Sequence, residues 1–368
     1  MIYVIGISIA FFLSFLLITK KGRTSADTFL AVWMGITGFH LFLFYHNSIT
    51  KTYLYPDLLG LEIPLPLLHG PFLYLYTTTL IHPDRLKTYR WMVHFVPSLL
   101  VYLYLMPFFT STASQKIAVY EHEGQGYQGF MSILLVFISI AGVLYVFFSN
   151  RQLRRYRLHL LNQFSYQEKI NLNWLRYLFL WMGLLWLIII LRGNDQIIFT
   201  TVVFFVLFIG YFGIRQVGLF SVHSSEIEEK KTTLTLNENT KKYEKSGLSD
   251  EMAEHIYVRL TEAMHEKKLF TNAELSLADL AFHLSVHPNY LSQVINTFEE
   301  KSFFDYINAL RIEEFKRLAD QPENQKYTLL GLAYDCGFNS KTSFNRNFKK
   351  ATGLAPSEYL KQTEATFA

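Results

Sequence analysis

Seven long apolar runs crowd the first 215 residues of this 368-residue chain, and they decide what it can fold into. A helix needs about 20 mostly apolar residues to cross the hydrocarbon of a bilayer, where every backbone polar group must be satisfied internally. Runs at about 2–18, 29–46, 59–80, 91–110, 129–149, 173–191 and 196–214 meet that requirement. The rest of the chain interleaves charged and apolar residues as soluble helices do. The chain is 51% hydrophobic, too apolar for an ordinary soluble protein, and the excess lies in its first part. The expected fold is all-α: a seven-transmembrane-helix bundle over 1–215, a polar linker over 216–248 and a soluble domain over 249–368.

Loop charge sets the orientation, because Lys and Arg accumulate on the cytoplasmic side. The first loop carries Lys20, Lys21 and Arg23, the third Arg85, Lys87 and Arg90, and the fifth Arg151, Arg154, Arg155, Arg157 and Lys169. The second, fourth and sixth offer only Lys51, Lys116 and Arg192. The N-terminus is therefore expected outside and everything after Arg215 in the cytoplasm, making the chain a multi-pass protein of the cytoplasmic (inner) membrane. The first run is not read as a signal peptide: no basic region precedes it, no small-residue cleavage site follows, and Lys20, Lys21 and Arg23 come next.

Ionisable residues inside spans mark cavities or partners. Glu62 and His69 stand among Pro64, Pro66 and Pro71, which break or kink the third span, so one reading makes them a ligand site of the membrane domain. The other puts Glu62 at the outer interface and His69 on a freed carbonyl. His40, His46, His82, His94 and His122 have no metal-ligand spacing, Arg192 and Asp195 are candidates for a pair, and no phosphate loop or nucleophile triad is present. No catalytic residue, metal or cofactor is expected. Cys336, the single cysteine, reads as a small buried apolar residue.

The soluble part holds the clearest pattern. Ser276 and Asp279 suit a capping box, followed by Leu277, Leu280, Ala281 and Leu284 on one helical face. After the turn Ser285–His287, Pro288 opens a second helix with Leu291, Val294, Ile295 and Phe298 inward and Asn289, Ser292, Gln293 and Asn296 outward. Two short helices joined tightly, the second exposing amides and hydroxyls, make a helix-turn-helix whose second helix reads base edges. The unit repeats: Thr328–Cys336 with Leu330, Ala333 and Tyr334 inward, Gly337 as a left-handed stop, then Ser340–Thr352 packing through Phe344, Phe348 and Ala351. Its outer face carries Lys341, Thr342, Asn345, Arg346, Lys349 and Lys350, with Arg346 suited to guanine and Lys349 and Lys350 to phosphates. A helix over 303–320 joins the two units. Beyond Lys241 acidic residues slightly outnumber basic ones, so DNA contact must come from these local patches.

The stretch LLGLAYDCGFNSKTSFNRNFKKATGLAPSEYL resembles the C-terminal signature of AraC/XylS-type transcription regulators, through Ala333, Gly337, Phe338, Phe344, Phe348, Lys349, Gly353, Pro356 and Tyr359. Leu280, Ala281, Tyr290, Leu291, Ser292 and Arg311 extend the resemblance over about 275–361. It departs at Gln293, where members often carry a basic residue, and at the acidic stretch Thr297–Glu300. The resemblance implies a seven-helix DNA-binding domain with base contacts from Asn289, Ser292, Gln293, Lys341, Thr342, Asn345 and Arg346. The membrane part, including GPFLYLY, is similar to multi-span N-terminal regions on some AraC-type regulators of the Bacteroidota, which implies sensing or tethering. The expected function is a membrane-anchored, sequence-specific transcription regulator; the alternative is a receptor or transporter whose helix-turn-helix module binds a protein. Expected partners are double-stranded DNA, the lipid bilayer and an envelope or lipid-soluble signal, with a homodimer left open.

Overall fold

The computed structural model describes residues 1–50, 53, 55–82, 89–166, 173–191, 193–212, 248–324 and 326–360. Among these the chain is built of helices, and its one extended pairing is an isolated antiparallel bridge between Phe164 and Ser276. Most of the expected linker, with Lys51, Arg85, Lys87, Lys169 and Arg192, lies outside the described residues. The chain separates into two compact units: Met1–Arg155 with Leu172–Val222, and Tyr156–Asn171 with His223–Ala368. A cut at residue 215 alone leaves out the short internal segment that belongs to the second unit.

Among the described residues four helices are long and apolar enough to cross a membrane: Ile2–Thr19 (α1), Ser25–Ser48, Gln128–Leu161 (α7) and Asp195–Phe212 (α9). The second comprises α2 (Ser25–Phe44) and a π-helical extension, Tyr45–Thr50. It starts on a capping box between Thr24 and Asp27, and Asp27 also pairs with Lys20 at 2.9 Å. The expected third and fourth spans are interrupted. The third is a turn segment followed by α3 (Pro66–Ile81), and the fourth divides into a 3₁₀ stretch (Tyr89–Phe95), α4 (Val96–Tyr104) and α5 (Met106–Phe109). Proline explains both, since Pro66, Pro97 and Pro107 each sit in a first turn, where a missing N–H costs nothing. After α6 (Ala113–Glu121) and α7 comes α8 (Asn173–Ile190), apolar but shorter. The basic residues Arg151, Arg154, Arg155 and Arg157, expected in a loop, stand on α7, which meets no Gly or Pro to end it after Gly142. Much apolar surface stays open, with Ile133 73% and Phe15 60% exposed, a surface suited to lipid or a partner.

The second unit contains α10 (Asp250–Glu266), α11 (Leu277–His283), α12 (Pro288–Glu299), α13 (Phe303–Ala319), α14 (Leu329–Asp335) and α15 (Lys341–Thr352), with a further helical stretch at 356–360. Its apolar residues form two cores. One joins Ile256, Leu260, Leu280, Leu291, Ile295 and Ile307; the other joins Ile312, Phe315, Leu332, Phe338, Phe344 and Phe348. Helix α13 contributes its first half to one core and its second half to the other, so 17 residues, ~26 Å of helix, act as the spacer between them.

Candidate nucleic-acid interface

Each helix-turn-helix begins with a cap that places its first helix. Ser276 and Asp279 form the expected capping box on α11, and Thr328 accepts from the Gly331 N–H on α14. The turn after α11 passes through Ser285 at φ 52° and is pinned by Arg259, which donates to the Leu284 carbonyl at 2.6 Å. Pro288 then opens α12 as expected. In the second unit Gly337 has φ 94°, and a Cβ there would lie 2.6 Å from the Thr271 carbonyl oxygen, so only glycine fits.

The inner faces differ from the expected ones at four positions, Phe298, Leu330, Tyr334 and Ala351. Phe298 is 41% exposed and stacks on Tyr257 at 4.6 Å instead of entering the core. On α14 the inward set is Leu329, Leu332, Ala333 and Cys336, spaced i, i+3, i+4, i+7, and Tyr334 faces outward. On α15 Ala351 projects beyond the core, while Ser343 and Asn347 are buried, Asn347 donating to the Ser343 carbonyl at 3.0 Å.

The expected contact residues lie on the outer faces of α12 and α15. Asn289, Gln293 and Asn296 are exposed and Ser292 is half-buried; Lys341, Thr342, Asn345, Arg346, Lys349 and Lys350 are all exposed. Three have intramolecular partners that bear on their use. Asn296 donates to the Ser292 carbonyl at 2.8 Å, which occupies its amide nitrogen on its own helix. Arg346 lies 5.9 Å from the centre of the Phe304 ring, which orients its guanidinium. Lys350 pairs with Asp305 at 2.7 Å, so part of its charge is already met within the domain.

Sequence reasoning placed Arg311 on the family pattern without seeing its task. It is 1% exposed, and its guanidinium donates to the carbonyls of Phe270 (2.7 Å), Asn272 (2.7 Å) and Ser165 (3.3 Å) and to Ser165 Oγ (3.1 Å). Burial lowers its pKa to about 10, which leaves it charged at neutral pH. Ser165 belongs to a short strap, Gln163–Tyr166. The Ser165 N–H and hydroxyl both bond the Leu275 carbonyl, the Leu277 N–H bonds the Gln163 carbonyl, and Asn308 donates to the Ser165 carbonyl. The strap was missed because its bonds are mostly backbone, which no side-chain pattern reports.

Glu62 and His69, the candidates of the first unit, line one cavity but do not touch each other. Glu62 accepts from the Tyr120 hydroxyl and from Asn47 at 3.1 Å. His69 takes the Trp33 indole N–H at 3.0 Å and faces His40 at 3.2 Å, so its partners are side chains and not a freed carbonyl. Trp33, His40, Asn47 and Tyr120 come from distant parts of the sequence, and nothing in their spacing announces the cluster. Among the described residues no group of three or more His, Cys, Asp or Glu could hold a metal ion.

Residues 280–362 match the family model described as "Helix-turn-helix domain". The chain is similar to the Melibiose operon regulatory protein of Escherichia coli (strain K12), 27% identical over 90 residues, 24% of this chain and 29% of that protein. It is also similar to the protein called Uncharacterized HTH-type transcriptional regulator YijO of Escherichia coli (strain K12), 35% identical over 82 residues, 22% of this chain and 27% of the relative. A third is the Transcriptional regulatory protein HptR of Staphylococcus aureus (strain bovine RF122 / ET3-1), 29% identical over 91 residues, 25% of this chain and 34% of the relative. The chain thus spans about three tenths of the length of the curated relatives it matches. No solved structure gives a significant match. Residues 280–362 thus carry a helix-turn-helix domain, and the three relatives are named as regulatory proteins, two of them as transcriptional.

Proposed function

We propose that the chain is a membrane-anchored, sequence-specific DNA-binding transcription regulator that joins sensor and regulator in one polypeptide. The observation that carries the reading is the pair α12 and α15. Each buries one face in its own core and turns amide, hydroxyl or cationic groups outward, the groups that read base edges in a major groove. On this reading Asn289, Ser292, Gln293, Lys341, Thr342, Asn345 and Arg346 contact bases, while Lys349 and Lys350 neutralise phosphates.

The first unit is a seven-span domain with its N-terminus outside and the DNA-binding domain in the cytoplasm. The four long apolar helices, the exposed apolar surface and the loop charge bias support this. Its role is to sense a signal and bias how the DNA-binding domain is presented. Genome-wide DNA occupancy of the intact chain tests the function: discrete sites sharing a sequence motif are expected, and occupancy that merely follows DNA abundance would refute it.

A further inference from the structure

The first unit surrounds a cavity of about 440 Å³, a size typical of small-molecule sites. Most of its wall is apolar and much of that aromatic, with Phe44, Met182, Trp186, Phe199 and Phe205 among the lining residues. Ser48, Glu62 and Asp195, which also line it, stand near the ends of their helical segments. His40 and Trp33 lie ~12 and ~22 Å further down the helix that ends at Ser48.

Hydrogen-bond direction fixes the charge of the two histidines. The Trp33 indole can only donate, so His69 Nδ1 accepts and the His69 proton sits on Nε2. That proton goes to His40 Nδ1, leaving the Nε2–H of His40 as a further donor. A ring nitrogen that accepts cannot belong to an imidazolium, so both histidines are neutral. Among the described residues no Lys or Arg lines the cavity, and its acidic groups there are Glu62 and Asp195. The Tyr120 hydroxyl takes the Gly60 N–H at 2.8 Å and commits its own proton to Glu62, and Asn47 holds the other carboxylate oxygen. At and beside the cavity two buried polar atoms have no partner among the described residues. These are the Trp186 indole N–H in the cavity wall and the Asn47 carbonyl oxygen beside Glu62, in residues 2% and 3% exposed.

We infer that this cavity binds an amphipathic cation: a protonated amine held by Glu62 and Asp195, with an apolar body among the aromatic walls. The carboxylates of Glu62 and of the exposed Asp195 repel an anion and attract a cation. The aromatic faces add attraction for a cation. The inference rests on the proposed membrane-sensor reading, in which Ser48, Glu62 and Asp195 lie on the outer side, so the ligand enters from the envelope.

The test uses the full chain in phosphatidylcholine nanodiscs without DNA, titrated with three bromine-tagged probes that share a dodecyl chain: ammonium, alcohol and carboxylate. Bromine quenches indoles on contact, and Trp33 and Trp186 line the cavity. Saturable quenching is expected for the ammonium probe, tighter than for the other two by about tenfold. Glu62→Gln and Asp195→Asn should each narrow that preference, and Trp186→Phe should remove much of the quench. Equal affinity for the three probes, quenching no greater than partition into the bilayer predicts, or a preference unmoved by both carboxylate variants would overturn the inference while leaving the DNA-binding reading intact. A chain that does not enter nanodiscs overturns the membrane reading and this inference together. Confirmed binding with DNA occupancy unchanged by the ammonium probe would instead remove only the sensory role.

Discussion

A polypeptide starting near Ser246 contains every helix-turn-helix element but lacks the strap Gln163–Tyr166, and it should be measurably less stable than the complete unit. The strap makes six hydrogen bonds to the domain. At about 1 kcal/mol net for each bond, they outweigh the ordering of four residues, about 1 kcal/mol each, by roughly 2 kcal/mol. Urea unfolding followed by far-UV circular dichroism can compare residues 246–368 with the same polypeptide carrying residues 156–166 on a Gly/Ser linker. With a slope of about 2 kcal/mol per molar, the midpoint should rise by roughly 1 M when the strap is present. A scrambled strap should give no gain. Equal midpoints, or an equal gain from the scrambled peptide, would show that the Arg311 and Leu275 contacts contribute no net stability.

Four further outcomes are expected. Arg346→Ala should cost about 1–3 kcal/mol on a specific operator and relax preference at one base position, measured by titration against operator and scrambled duplexes; equal losses on both would reduce Arg346 to a mere charge. Asp305→Asn should release Lys350, tighten binding to both duplexes and steepen the salt dependence of log affinity by about one unit; an unchanged slope would mean Lys350 does not reach phosphate. Hydrogen bonds from Arg317, then from Lys268, hold the Glu314 carboxyl down to about 2 against an ordinary 4.5, so its stabilisation is present above about 4.5 and is lost as pH falls toward about 2. Glu314→Gln should therefore flatten acid unfolding over that window by about 1 kcal/mol after solvent screening. Cys336 is fully buried and its thiol is pushed up to about 12, so alkylation by iodoacetamide should track unfolding, and fast labelling of the folded domain would contradict its burial.

The soluble helices were readable because their signals are local. Ser276 with Asp279, Pro288 and Gly337 each specify a cap, a first turn or a left-handed stop within a few residues. Inner faces were read less well where helices are short. On α14, Leu330, Ala333 and Tyr334 fit a helical face as well as Leu329, Leu332 and Ala333 do, and only the core decides between them. In the first part, hydropathy marked the apolar runs but could not say how prolines divide them, since Pro97 and Pro107 start new helices within one run. The partners of Glu62 and His69 were not legible, because Tyr120 and Trp33 reach them across long stretches of chain.

Arg311 shows why a site can be visible in sequence while its support is not. The contact residues of α12 and α15 need only exposure and a correct helical phase, both of which periodicity supplies. Their mutual placement needs α13 to be held, and α13 is held at Asn308 and Arg311, between Ile307 of one core and Ile312 of the other. The acceptors at that point are carbonyls of Phe270, Asn272 and Ser165, and no carboxylate is among them. A buried guanidinium satisfied by carbonyls gains no ion pair to offset its desolvation, so its contribution depends on every acceptor being in place. Ser165 supplies two of the four contacts from more than a hundred residues away in the chain. The joint between the two recognition units is therefore completed by a residue outside the helix-turn-helix match, and a domain cut to the limits of that match loses the contacts that fix the spacing of α12 and α15.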